Sequence, residues 1–259
     1  MEITFENYTE LKLKKLKRAE IAYALGIPEW KLKRIITANN WGAELPTLNH
    51  NSFDVITKSS AYWAGFLAAD GNVDSKNRVR LMLKYEDISH LVKFANFLGS
   101  THKIQSNTTT YDRCALDITS KNIVGKLSQY YNIVPVKSLI LLPPTNLDGY
   151  TTDFIRGYFD GDGSVCESFS NVNSKTATIY ATLVSGSIEF TKWLENFLDT
   201  QGISYSTQHW ENKSQIKMNT NQAKLFLHLI YSNSTEDIRL DRKYLKYIDI
   251  VVDNNRLVR

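Results

Sequence analysis

No run of eighteen or more apolar residues occurs in this 259-residue sequence, and its opening MEITFENYTE lacks the basic and apolar segments of a secretory leader. A membrane partner and an exported precursor are both unexpected, and the sequence predicts an intracellular protein. Cysteine is scarce. Cys114 and Cys166 are the only two, without C-x-x-C spacing or histidines at ligand spacing, which argues against a disulfide framework and a zinc site. The five histidines, His50, His90, His102, His209 and His228, form no spaced pair. Asp70, Asn72 and Asp74, like Asp160, Asp162 and Ser164, copy the first three ligand positions of a calcium-binding helix–loop–helix. The glycine and glutamate such a loop requires at its sixth and twelfth positions are missing: these are Ser75 and Leu81 in one case, Val165 and Asn171 in the other.

What is present is a globular composition, 42% hydrophobic and 22% charged, enough for one or two domains and a small appendage. The net charge of +4 is unevenly placed. Lys12, Lys14, Lys15, Lys17, Arg18, Lys31, Lys33 and Arg34 crowd into residues 11–35 against only Glu20 and Glu29, a concentration that suits phosphates. Within it, RAEIAYALGIPEWKLKRII (18–36) has apolar residues at helical spacing interrupted by Gly26 and Pro28. Gly26 can end one helix in the left-handed region and Pro28 can start the next. The segment resembles helix-turn-helix DNA-binding modules, which would make Glu29 to Thr37 the recognition helix, with Lys31, Lys33 and Arg34 available to DNA.

GAELPTLNHNSFDVITKS after Trp41 is rich in turn formers and predicts a linker, and LLPPTNLDGYTT (141–152) marks a second break. These divide the chain into a head (1–42), a linker (43–58) and two bodies (59–145 and 146–259). The bodies are weak copies. A shift of one hundred positions aligns VKFANFL with KWLENFL and pairs Leu83 with Leu183, Ile88 with Ile188, Ser106 with Ser206, Leu127 with Leu227 and Tyr131 with Tyr231. That makes eight identities over 83–131, where chance gives about three. Each body predicts helix, two strands, helix, two strands, helix. RVRLML and RCALDI are strand candidates in the first, TATIYATLV and SQIKMN in the second, all with near-alternating polarity.

Each body opens on a short run that ends in Asp-Gly: YWAGFLAADG (62–71) and DFIRGYFDGDG (153–163). Ser59 or Ser60, and Thr151 or Thr152, can cap the two helices. Small residues one turn apart, Ala64, Gly65 and Ala69 in one, Gly157 and Gly161 in the other, allow two helix backbones to approach closely. Packed side by side, they bring Asp70 and Asp162 together at the negative ends of two helix dipoles, which costs stability unless a cation offsets it. Two carboxylates and adjoining carbonyls are hard ligands suited to Mg²⁺ or Mn²⁺, which can assist attack of water on a phosphodiester.

WAGFLAADG (63–71) and IRGYFDGDG (155–163) resemble the paired signature helices of LAGLIDADG homing endonucleases, over about residues 59–259. The resemblance implies an α+β protein: two pseudo-symmetric αββαββα repeats whose four-stranded sheets form a saddle over double-stranded DNA, plus the small all-α helix-turn-helix at the N-terminus. It implies a monomer without an obligate protein partner that cuts both strands of a long non-palindromic site and leaves short 3′ overhangs. It also implies a home in the cytoplasm or nucleoid of a bacterial or phage-infected cell, or in an organelle. Asp70 and Asp162 would hold the metal, assisted by the carbonyls of Ala69 and Gly161. A lysine from each half is expected near the scissile phosphates, and PVKSL and RKYL nominate Lys137 and Lys243. The first copy has Ala68 where the second has Asp160, which makes the halves unequal. Arg78, Arg80, Lys84, Lys103, Arg113, Lys213 and Lys217, with His102 and His209, are candidate strand contacts to DNA. The same architecture resembles certain transcription regulators, and some members of the family are RNA maturases; retention of both aspartates favours the nuclease.

Overall fold

The computed structural model describes residues 3–14, 16–39, 41, 46–107, 112–147, 149–169 and 177–252. The chain divides into two compact units at Pro46/Thr47.

The first unit has three helices, α1 (Phe5–Leu13), α2 (Arg18–Ala24) and α3 (Glu29–Ala38). Its core is small: Tyr8, Ile21, Ala22 and Leu32 are buried, and Trp41 lies against the rings of Phe5 and Tyr8 at 5.9 and 5.7 Å. Glu20 closes the start of α2 by accepting from Lys17 N at 2.6 Å. Gly26 takes the left-handed turn at φ 67°, and Pro28 holds the N-cap position of α3. Lys31, Lys33 and Arg34 lie on α3, Lys31, Lys33 and Arg34 all turned away from the buried Leu32.

The second unit holds both repeats. The first runs α4 (Lys58–Ala69), β1 (Gly71–Val73), β2 (Arg78–Lys84), α5 (Ile88–Phe97), β3 (Gln105–Asn107), β4 (Arg113–Thr119) and α6 (Lys121–Tyr131). The second runs α7 (Thr151–Asp162), β5 (Ser164–Phe169), β6 (Ala177–Ser185), α8 (Ile188–Thr200), β7 (Ser206–Trp210), β8 (Lys213–Asn219) and α9 (Thr220–Tyr231), and α10 (Asp241–Tyr247) follows. The sheets are antiparallel with matching orders, β1-β2-β4-β3 and β5-β6-β8-β7. The αββαββα order is therefore present twice.

Strand alternation decides what each sheet shows to solvent. RVRLMLK in β2 buries Val79, Leu81 and Leu83 and turns Arg78, Arg80, Met82 and Lys84 outward; KSQIKMN in β8 does the same with Lys213, Gln215 and Lys217. The inward residues meet the apolar stripes of α5 (Leu91, Phe94, Ala95) and α8 (Phe190, Leu194, Phe197, Leu198) in one continuous core.

Two expectations change. Residues 47–57, assigned to a linker, are built into the second unit: Thr47 N donates to Thr101 Oγ1 at 2.8 Å, Asn49 N to Leu98 O at 2.8 Å, and Phe53 is fully buried. Their turn-rich composition serves side-chain bonds such as those from Asn122 Nδ2 to His50 O and Asp54 Oδ1 (3.0 and 2.7 Å). Lys15 of the basic run, residues 43–45 of the expected linker and 253–259 of the second repeat lie outside the described residues. The helix caps also differ. Thr57, not Ser59 or Ser60, caps α4, because Ser60 Oγ turns back to accept from Thr57 N at 2.8 Å while Ser60 N donates to Thr57 Oγ1 at 3.1 Å. Tyr150 starts α7 without a side-chain cap, since the turn at Gly149 (φ 79°) delivers the chain into the helix one residue before the two threonines.

Candidate active site

α4 and α7 cross at their glycines. A Cβ on Gly65 would lie 1.9 Å from Phe154 O, and one on Gly157 would lie 1.9 Å from Tyr62 O, so each helix receives the other's backbone where it has no side chain. One turn on, a Cβ on Gly161 would lie 2.4 Å from Ala69 Cβ and 3.5 Å from Asp70 Oδ2. Ala64 is fully buried, but the close approach falls on Gly65, Gly157 and Gly161. The crossing carries Asp70, the C-cap of α4, and Asp162, the last residue of α7, into one cleft.

Both aspartates expose part of their side chains, yet protein crowds them from the helix side. Desolvation raises the Asp70 carboxyl above its ordinary value, opposed by the charges of Lys243 and Lys137. Desolvation and then the charge of Asp70 push Asp162 up to about 6. The nominated lysines come to the same place. Lys137 Nζ donates to Ala69 O at 3.3 Å, and Lys243 Nζ donates to the carbonyls of Phe159, Asp160, Gly161 and Gly163 at 2.6, 2.8, 3.3 and 2.6 Å. Both are buried, which lowers the pKa of each, that of Lys243 to about 8. A cavity of about 380 Å³ opens beside Lys137, lined also by Tyr158, Asp162, Asn212 and Lys213 among others.

The donor set suits a hard divalent cation. The charge of Asp70 disfavours ionisation of Asp162, and the carbonyls of Ala69 and Gly161, which accept from Lys137 and Lys243 at 3.3 Å, adjoin the two residues in the chain. Among the described residues no group of three or more His, Cys, Asp or Glu side chains stands ready to hold a metal. Two carboxylates completed by carbonyls and waters match the demands of Mg²⁺.

Asp160, which has no counterpart in the first copy, is fully enclosed. Its carboxylate accepts from Tyr62 OH (2.8 Å), Tyr231 OH (2.5 Å) and Leu240 N (2.8 Å). It therefore ties α4, α9 and the start of α10 to α7. The proton of Tyr62 OH goes to Asp160, so His90 Nε2, 3.0 Å from that hydroxyl, is the donor between them. Burial lowers the His90 pKa to about 3. Because the folded value lies below the ordinary one near 6.5, the folded state resists a proton that the unfolded chain accepts. Its contribution is intact above pH 6.5 and is lost as pH falls toward 3, by up to about 1.4 kcal/mol per pH unit. Urea titrations at stepped pH should show this acid loss, and His90→Phe should flatten it; an unchanged slope in the variant would assign the loss elsewhere.

Arg78, Arg80, Lys84 and Arg113 lie on the outward face of the first sheet, and Lys213 and Lys217 on that of the second. Part of this charge is answered locally by Arg78–Asp74 at 3.1 Å and Arg80–Asp117 at 3.4 Å. Three of the expected strand contacts are placed differently. His102 and Lys103 precede β3 rather than lying on it, with His102 Nδ1 in a local bond to Ser100 Oγ at 2.9 Å. His209 is on β7 but pairs with buried Ser214, opposite the face of Lys213 and Lys217. Sequence reasoning missed Arg242, half-exposed and 3.0 Å from both Asp87 oxygens through Nε, whose charge reaches Asp70. Its one sequence signal is its place beside Lys243.

Residues 150–242 match the LAGLIDADG-like domain family. That match falls within the second repeat. The chain's fold is also that of solved LAGLIDADG proteins. It resembles the I-LtrWI LAGLIDADG homing endonuclease bound to target DNA with a TM-score of 0.55 and 10% identity, over 76% of this chain and 89% of that one. The LAGLIDADG meganuclease I-AabMI bound to uncleaved DNA gives 0.52 and 10%, over 76% and 92%. Meganuclease I-SmaMI bound to uncleaveable DNA gives 0.51 and 12%, over 75% and 92%. No curated protein matches by sequence. At identities this low the likeness shows the LAGLIDADG fold alone. Among the described residues no helix is long and apolar enough to cross a membrane.

Proposed function

We propose that this chain is a site-specific DNA endonuclease that hydrolyses both strands of a long, non-palindromic duplex site with Mg²⁺ or Mn²⁺, acts as a monomer and leaves short 3′ overhangs. The observation that carries the proposal is the juxtaposition of Asp70 and Asp162 at the ends of two helices that cross on glycine. A bound divalent cation would supply charge neutralisation at the attacking and leaving oxygens of the phosphodiester. Asp70 and Asp162, with Ala69 O and Gly161 O, would hold it. The outward cations of the sheets, Arg78, Arg80, Lys84, Arg113, Lys213 and Lys217, would set the duplex across the cleft, phosphate contacts fixing position and base-edge contacts fixing sequence.

The alternative, a non-cleaving DNA-binding regulator or an RNA maturase, has no need of two mutually repelling carboxylates. Incubating the protein with a randomised duplex library and Mg²⁺, then sequencing new ends, tests the choice. Paired breaks at one long site support the endonuclease; retention of duplex without new ends supports the regulator.

The three-helix unit would extend the recognised sequence through α3. Replacing Lys31, Lys33 and Arg34 together with alanine should make binding less salt-dependent, lowering the slope of log K against log salt by about 0.9 for every phosphate no longer neutralised. An unchanged slope and footprint would remove this unit from the interface.

A further inference from the structure

The repeat relates Lys137 to Lys243, but their surroundings differ. An ammonium has three N–H donors. Lys243 has three carbonyl oxygens within 2.8 Å and a fourth at 3.3 Å, all from the last turn of α7 and the residue after it. Those of Asp160 and Gly161 are among the carbonyls a helix leaves unsatisfied at its end, whereas Phe159 O also accepts from Gly163 N at 2.9 Å; a lysine there completes the helix end and its charge suits the negative end of the helix dipole. Reaching a phosphate would require Lys243 to abandon them. Lys137 has one described bond, 3.3 Å long, to Ala69 O, and it lines the cavity that also contains Asp162.

The backbone differs in the same sense. Lys243 lies inside regular helix α10, whose start is anchored by the bond from Leu240 N to Asp160 at 2.8 Å. Lys137 follows Val136, a β-branched residue at φ 60° and 85% exposed. A β-branched residue in the left-handed region is strained, and such strain persists where the surroundings impose it, often at functional sites.

We propose, resting on the endonuclease reading, that Lys243 is a strut that completes the C-terminus of α7, whereas Lys137 is the lysine that meets the phosphodiester. The two repeats thus present unequal chemistry to the two strands. Asp160 is the reason: the first copy, with Ala68, has no carboxylate to anchor an equivalent helix.

The test combines melting with strand-resolved cleavage of a doubly end-labelled duplex. Lys137→Met should melt like the wild type but cut one strand about a hundredfold more slowly, accumulating a nicked product. Lys243→Met should melt several degrees lower and, at temperatures where it remains folded, slow both strands alike. A Lys243→Met protein that melts normally and spares one strand would overturn the proposal. If Lys243→Met does not fold, the side-chain ammonium resonances of the wild type decide. Those of Lys243 should exchange slowly and stay put when the duplex is added, while those of Lys137 shift; movement of Lys243 on DNA binding would contradict the strut. A wild type that cuts no duplex would overturn the endonuclease reading, leaving the melting and resonance results to judge the strut alone.

Discussion

Gly157→Ala is expected to unfold the two-repeat body. The added methyl would sit 1.9 Å from Tyr62 O and 2.8 Å from Phe66 N, both backbone atoms that no rotamer change can move aside. Relief requires α4 and α7 to separate along a crossing whose flanking residues Tyr62, Phe66, Phe154 and Tyr158 are themselves buried. Separation opens voids in the core, and a cost of about 4 kcal/mol or more belongs to the exceptional class of single substitutions. That is a large fraction of the roughly 5–15 kcal/mol that holds a domain together. Gly125→Ala is the matching control: it lies within α6 with nothing within 4 Å of the new methyl, and helix propensity predicts a gain of up to about 1 kcal/mol. Urea denaturation of both variants checks the pair. A Gly157→Ala protein as stable as the wild type would mean that close approach at this crossing does not build the cleft.

Asp70→Asn and Asp162→Asn should each abolish double-strand cleavage, by about a thousandfold or more, while leaving the fold intact. Asparagine keeps the shape and loses the charge. The sign of the stability change follows from the raised carboxyl pKa values. A folded value above the unfolded one means that the proton is held more tightly in the folded state, so ionisation disfavours folding. For Asp162 stability falls as pH rises from the ordinary 3.8 to about 6, and the full penalty remains above that. At neutral pH both variants should therefore melt at or above the wild-type temperature in the absence of divalent cations. Loss of activity accompanied by loss of stability would instead make the aspartates structural.

Much of the architecture was legible because it rests on periodicity. β2, β4, β6 and β8 alternate strictly enough to be seen in sequence, and the Asp-Gly endings of α4 and α7 mark the cleft. β3 was not legible: Gln105, Ser106 and Asn107 are all exposed on an edge strand, so no buried face imposes alternation. Most of the difference between the 92-residue spacing of the aspartates and the one-hundred-residue shift of the later elements, six residues of eight, is taken up between the starts of β5 and β6, which are 13 residues apart where those of β1 and β2 are 7 apart. The anchoring role of Asp160 was not legible because its partners, Tyr62, Tyr231 and Leu240, lie 71 to 98 positions away in sequence. Long-range polar closure of this kind leaves no local pattern. The same holds for Lys243, whose spacing drifted while its target, the end of α7, stayed fixed.

The most direct test of the central claim uses the site recovered from the duplex library and compares the wild type with Asp70→Asn and Asp162→Asn, with Mg²⁺, scoring binding and each strand's cleavage on the same samples. The account predicts that all three proteins bind the site and that only the wild type produces a double-strand break. Breaks of wild-type yield from either variant would contradict the paired-aspartate nuclease.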